Sequence, residues 1–412
     1  MSNLKKHRFC DLYTMSSGIS STKEQAGHGS PFLSFSTVFN NYFVPDELTD
    51  LMSTSEKEKE TYSIKRGDIF LTRTSEVIDE LAMSCVAIKD YPNASYSGFL
   101  KRLRPTQTDI TYSKFMAFYL RSPLFRKTMT NNAVMTLRAS LNEDIFSYLD
   151  LLLPDFDEQV KAGDLLYLLN EKIEINNRIN AELEGMAKTL YDYWFVQFEF
   201  PDNNGKPYKT SGGKMVYNAV LKRDIPDGWK DSVIENIIGK GPSAKKIPTK
   251  EYGNEGTIPI IDQSKDFICG FTCDASKKIT PDIAHVIFGD HSRTVKLVNF
   301  EYARGADGTQ VLVANSDEVP CYLLYQIVFD IDLSNYGYAR HFKFLKESTC
   351  IVPEKSIARR YQETVAPWYE KIKNNILQNY ELQNLRDWLL PMLMNGQVTV
   401  KPSTESQEAQ HG

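Results

Sequence analysis

Cysteine is scarce in this chain, with six among 412 residues. Cys10, Cys85, Cys269, Cys273, Cys321 and Cys350 are scattered, which gives no disulfide framework and suits a reducing compartment. No run of about 18 apolar residues occurs, so no membrane-spanning helix is expected. The opening MSNLKKHRFC lacks the apolar centre of a secretory signal, and a cytoplasmic protein is expected. Positive charge is not in surplus: Lys and Arg total 48 against 53 Asp and Glu, a net charge of −5 with an isoelectric point near 5.8. A free-standing nucleic-acid-binding domain usually lies above about pH 9. Any such role must therefore use local basic surfaces or borrow charge from a partner.

Catalytic signatures are also missing. There is no G-x-x-x-x-G-K-[ST] phosphate loop; the GGK at 212–214 is too short and sits among loop residues. No G-x-G-x-x-G follows a strand pattern, and no H-E-x-x-H occurs among the six histidines. Cys269 and Cys273 form one pair where zinc wants about four ligands, so no metal site is expected. Asp290, His291 and Ser292 are adjacent, whereas a hydrolytic triad is a spatial arrangement whose members rarely neighbour one another. No catalytic residue is assigned.

What the chain does have is a long internal repeat. Segments 154–190 and 353–389 align without a gap. Pro154 pairs with Pro353, Glu171 with Glu370, Lys172 with Lys371, and Ile173 with Ile372. Asn176 likewise pairs with Asn375, Asn180 with Asn379, Glu182 with Glu381, Leu183 with Leu382, and Leu190 with Leu389. Solenoid units run roughly 20–50 residues, so a repeat this widely spaced implies two large, similar halves ending in the same kind of helix. Each segment shows apolar residues at steps of three and four. The seam comprises Ile173, Asn176, Leu183 and Leu190 and their counterparts Ile372, Asn375, Leu382 and Leu389. Two such stripes most simply pack together as an antiparallel coiled coil. Asn176 and Asn375 fall on or near the stripe, where burial would fix register at a cost in stability; exposure is the alternative.

The expected fold class is α+β: two mixed α/β globular parts separated by two long helices in an antiparallel coiled coil, a pseudo-twofold internal repeat. The expected boundaries are 1–153 for the first globular part, 154–200 for the first helix and 201–224 for a linker rich in Pro, Gly and Asn. The second globular part is 225–352, the second helix 353–396, with possible kinks at Pro367 and Pro391, and 397–412 a disordered polar tail. Within these, 31–38 reads as a strand, 112–127 as one helix, the charge run 56–60 as a solvated loop or helix end, and 322–328 as a short helix or a buried strand.

Basic residues cluster with small polar and aromatic ones. The first half offers Arg73, Lys101, Arg102, Arg104, Asn131 and Arg138. The second offers Lys245, Lys246, Lys277, Lys278, His291, Arg293, Lys296, Arg304, Gln310, Arg340 and His341. Lys and Arg supply phosphate contacts; Arg, Asn and Gln read base edges by paired hydrogen bonds. For each alone, a solvated surface position or an internal ion pair is an equal reading.

The order globular part, long helix, IPDGW at 225–229, second globular part and second long helix resembles a known family. So do Leu153-Pro154 and Val352-Pro353 before the helices, IFGDHSR at 287–293 and GADG at 305–308. Together they resemble the specificity (S) subunit of type I restriction-modification systems. The resemblance implies two target-recognition domains, each reading half of a split double-stranded DNA sequence, held apart by the spacer helices. It further implies partnership with two methyltransferase (M) subunits and, in the full complex, restriction (R) subunits. No cofactor is implied for this chain; the partners would use S-adenosylmethionine, and ATP with Mg for restriction. A subunit of a related type II system, or a non-catalytic two-headed protein scaffold, is the alternative.

Overall fold

The computed structural model describes residues 4–75, 80–132, 134–135, 139–140, 143–337 and 340–401. The chain divides into two compact units. One comprises Met1–Glu174 with Asn379–Gly412, the other Ile175–Gln378. Each is built on the same strand order.

In the first unit, the strand Lys5–Arg8 pairs antiparallel with Asp150–Leu153, the strand that leads into the first long helix, in register Lys5 to Leu153. A four-stranded sheet follows in the order Tyr13–Ser17, Leu100–Pro105, Ile69–Thr72, Ser84–Val86. A second sheet pairs Phe32 with Ser95 in parallel. In the other unit, Lys230–Val233 pairs antiparallel with Thr349–Val352, the strand leading into the second long helix, in register Lys230 to Val352. Its four-stranded sheet runs Ile238–Gly239, Thr309–Ala314, His285–Gly289, Val295–Val298. Its second sheet pairs Ile260 with Ala303 in parallel. In these strands the two frames correspond, while the second sheet has three strands in the first unit and four in the other.

Local signals explain where the elements differ from the sequence expectations. The strand expected over 31–38 ends with Ala26–Leu33, and Phe35–Asn40 is helical. Ser34 caps that helix, its Oγ accepting from the Thr37 amide, a role Ser fills well. The helix expected over 112–127 is two, Ser113–Tyr119 and Pro123–Asn132. Pro123 has no amide hydrogen to continue the first helix but suits the start of the second, and the Ser122 hydroxyl accepts from the Phe125 amide. The charge run is a helix, Glu56–Thr61, started by a reciprocal cap between Ser55 and Glu58. Cys321–Asp330 is a buried helix.

The first long helix spans Phe156–Tyr191 and the second Lys355–Met394; at 1.5 Å per residue they are about 54 and 60 Å long. The first continues into a π-turn, Asp192–Val196. Phe198, at φ 65°, then turns the chain in a conformation costing a non-glycine residue about 1 kcal/mol. Packing offsets this: Phe198 is buried, edge-on to Trp229 at 5.6 Å, while Phe200 stacks on Trp229 at 5.0 Å. The segment expected as a linker is accordingly ordered, with Met215–Asn218 and Arg223–Pro226 forming an antiparallel hairpin. Of the expected tail, 402–412 lies outside the described residues.

Within the Ile175–Gln378 unit the helical segments run antiparallel. Asn176 Nδ2 donates to Gln378 Oε1 (2.9 Å), Asn375 Nδ2 to Asn180 Oδ1 (2.8 Å), and Tyr361 Oη to the Ala187 carbonyl (3.0 Å). Asn176 and Asn375 are buried, as is Ile372, while Leu183, Leu190 and Ile376 are partly buried against the core. In the other unit, Ala162 and Leu166 share a core with Leu390 and Leu393; Leu389 packs on its edge, and Ile173 is buried. Leu382 is half-buried.

Candidate nucleic-acid interface

In each unit, the last strand of the main sheet begins, and the strand paired beside it ends, at one loop cluster. In the second unit this cluster gathers 262–264, 289–294 and 305–308. The Asp290 amide donates to the Gly308 carbonyl (2.7 Å) and the Gly305 amide to the Ile261 carbonyl (2.9 Å). Gln263 ties the three loops: its Nε2 donates to the Asp307 carbonyl (3.0 Å) and its Oε1 accepts from the His291 amide (3.1 Å). Gly308, at φ 86°, faces that side chain, and a Cβ there would come within 2.7 Å of it. The GADG and IFGDHSR motifs are therefore a folding requirement of this cluster. Leu333 and His341 lean on it as well: Arg293 donates to the Leu333 carbonyl (3.3 Å) and the His341 amide to the Asp290 carbonyl (2.9 Å). The Asp290 carboxylate accepts from the Phe342 amide (2.8 Å). It thus starts a helix and does not orient His291.

The cluster brings together His291, Arg293 and Arg340, all exposed, with exposed Lys245 and half-buried Lys246 beside it. Lys246, Pro248, Asp262, Gln263 and Asp307 line an open cleft of about 420 Å³, and Lys246 lies 3.8 Å from the Asp307 carboxylate. Lys277 and exposed Lys278 lie apart, by the strand Lys278–Ile279 that pairs with Tyr302–Arg304, and Lys278 is bound to Glu301 (3.0 Å). Half-buried Gln310 accepts from Arg304 (3.3 Å).

In the first unit the corresponding cluster holds exposed Arg73, whose amide donates to the Phe99 carbonyl (2.9 Å). Asn131 is exposed near the end of the helix Pro123–Asn132. Arg138 lies outside the described residues.

A second group of candidate cations turns inward and serves the scaffold. Arg104 makes a two-pronged ion pair with fully buried Asp68, Nε to Oδ1 at 2.7 Å and a terminal nitrogen to Oδ2 at 2.6 Å. It and Arg102 both donate to the Ser63 carbonyl (2.9 and 2.8 Å). Lys101 is buried and donates to Ser17 Oγ (2.7 Å). Lys296 is buried with its ammonium on the carbonyls of Asp262 (2.9 Å) and Asp266; desolvation presses its pKa below the usual lysine range. It braces the loop that carries Gln263. Arg304 grips the Thr309 carbonyl (2.9 Å). His341 is buried, its ring nitrogens 3.0 Å from the carbonyls of Asp290 and Tyr336. An inward cation that satisfies loop carbonyls fixes the shape of the loops around it.

Among the described residues, no three His, Cys, Asp or Glu side chains are grouped to hold a metal. Cys269 donates to the Ile260 carbonyl (3.0 Å), and burial pushes its thiol up to about 12. No described helix is long and apolar enough to cross a membrane.

Each unit thus carries a loop cluster at the same place in its frame, with Arg73 in the first and His291, Arg293 and Arg340 in the second. Residues 9–185 match the family described as the type I restriction modification DNA specificity domain. The chain is 24% identical over 359 residues to the type I restriction enzyme MjaIX specificity subunit of Methanocaldococcus jannaschii, covering 82% of this chain and 78% of that one. It is also 24% identical over 452 residues to the HindI specificity subunit of Haemophilus influenzae, covering 89% and 94%. Its fold is that of the type I restriction-modification S subunit from M. genitalium, with a TM-score of 0.55 at 15% identity over 98% of this chain and 97% of the other. Residues 9–185 thus carry a type I restriction modification DNA specificity domain, and over most of its length the chain is similar to specificity subunits of type I restriction enzymes.

Proposed function

We propose that the chain recognises a split double-stranded DNA target, one half with residues 1–153 and the other with 225–352, and directs methyltransferase partners to it, two per chain. With restriction subunits added, the same recognition directs cleavage. The observation that carries this reading is the pair of corresponding frames with unlike loops: where the first unit has Arg73 against Phe99, the second has Asp290 against Gly308. A common frame with diverged tips suits two readers of different sequences. The net charge of −5 fits a protein that shares the phosphate backbone with basic partners.

Arg293 and Arg340 are the exposed guanidinium groups of the second cluster. Arg293→Ala and Arg340→Ala, assembled with the cognate methyltransferase, are each expected to weaken binding to the target duplex by about 1–3 kcal/mol and to relax preference in one half only. Titration of labelled duplexes at fixed salt checks this; unchanged affinity removes both residues from the interface.

A further inference from the structure

Phe99 is 66% exposed, the highest value for any large hydrophobic residue among the described ones. It does not sit on a loose loop. The Leu100 amide donates to the Ser97 carbonyl (2.9 Å), closing a tight turn, and the Phe99 amide donates to Ser97 Oγ (3.2 Å). The Gly98 amide donates to the Ile19 carbonyl (2.7 Å), and the Arg73 amide to the Phe99 carbonyl (2.9 Å). The turn presses so closely on its neighbour that a Cβ on Gly98 would come within 2.8 Å of the Ile19 carbonyl. Leu100, next in sequence, is fully buried. An aromatic ring is thus held out in water from a backbone bonded on three sides, beside an exposed Arg73.

Holding such a ring in water forgoes about 1.5–3 kcal/mol of burial, and a pre-formed turn spares the ordering cost of binding. The place is the loop cluster argued above to face DNA, and the corresponding position of the second unit is Gly308. We propose that Phe99 is a specificity-determining residue of the first half-site, its ring packing on the apolar surface of a base while Arg73 meets an acceptor beside it. This rests on the split-target reading. The apolar surface is a thymine methyl group in an intact groove or the face of an unstacked base.

The test uses the chain assembled with its methyltransferase and duplexes bearing the split motif that the wild-type complex methylates. Phe99→Ala and Phe99→Ser are expected to keep the wild-type melting temperature, because the side chain is exposed. They should lower target affinity about 5- to 150-fold, the range for loss of one aromatic–base contact, and broaden the methylated sequences in the first half only. Uracil in place of each thymine in turn reproduces the loss in wild type, and not in the variants, if the partner is a methyl group. A rise in 2-aminopurine fluorescence with wild type alone marks an unstacked base. Unchanged affinity and first-half preference, or an equal loss on target and random duplexes, overturns the proposal and leaves the split-target reading standing. A wild-type complex that methylates no split motif overturns that reading instead.

Discussion

Asp68→Ala is expected to lower the unfolding free energy of the protein by about 3–5 kcal/mol, the usual cost of removing one member of a buried ion pair. Asp68 is fully buried and accepts from Arg104 twice and from the Lys65 amide (2.8 Å). Without it, the Arg104 guanidinium keeps only the Ser63 carbonyl (2.9 Å) and faces a cavity, with Arg102 beside it. Asp68→Asn restores one acceptor and should cost less. Urea unfolding followed by circular dichroism checks both; a loss under 1 kcal/mol for the alanine variant would show that the charge is not needed. Because this pair joins Ile69–Thr72 to Leu100–Pro105, the strands that end at Arg73 and begin after Phe99, loosening it should also blur the first half-site.

Tyr361→Ala should cost a similar amount, about 3–5 kcal/mol, as for other large aromatic truncations in a core. Tyr361 is fully buried, edge-on to Phe195 at 5.2 Å and to Trp194 at 6.1 Å, with its hydroxyl on the Ala187 carbonyl. Burial raises the phenol far above its ordinary pKa, so the neutral donor persists through any working pH. Tyr361→Phe keeps the ring and removes one hydrogen bond, leaving the carbonyl to a loss of about 1 kcal/mol. The difference between the two variants in the same unfolding experiment separates packing from the bond that joins the two helical segments.

The helices were legible in the sequence because their period is local: apolar residues at steps of three and four, interrupted by paired asparagines, mark a seam without knowledge of its partner. The sheet order was not, since each main sheet pairs its first strand with its last, Tyr13 with Pro105 and Ile238 with Ala314, across segments far apart in sequence. The cations show a sharper limit. Arg293 and Lys296 stand three residues apart, yet the first stays exposed while reaching the Leu333 carbonyl and the second is buried on the carbonyls of another loop. A partial signal existed: Lys296 lies in the strand VKLV, and Lys101, Arg102 and Arg104 in LKRLRP, where apolar neighbours imply burial on both faces. Gln263 and Phe99 carry no charge and drew no notice; only the loops they join reveal them.

Mapping of methylated bases in a genome expressing this chain with its cognate methyltransferase tests the central claim most directly. It should be done alongside a chimera whose residues 1–153 are replaced by the matching part of a type I specificity subunit. The expected result is one asymmetric motif split by an unread spacer, with the chimera changing one half and keeping the other. A contiguous motif, a change in both halves, or no methylation beside a demonstrably active partner would contradict it.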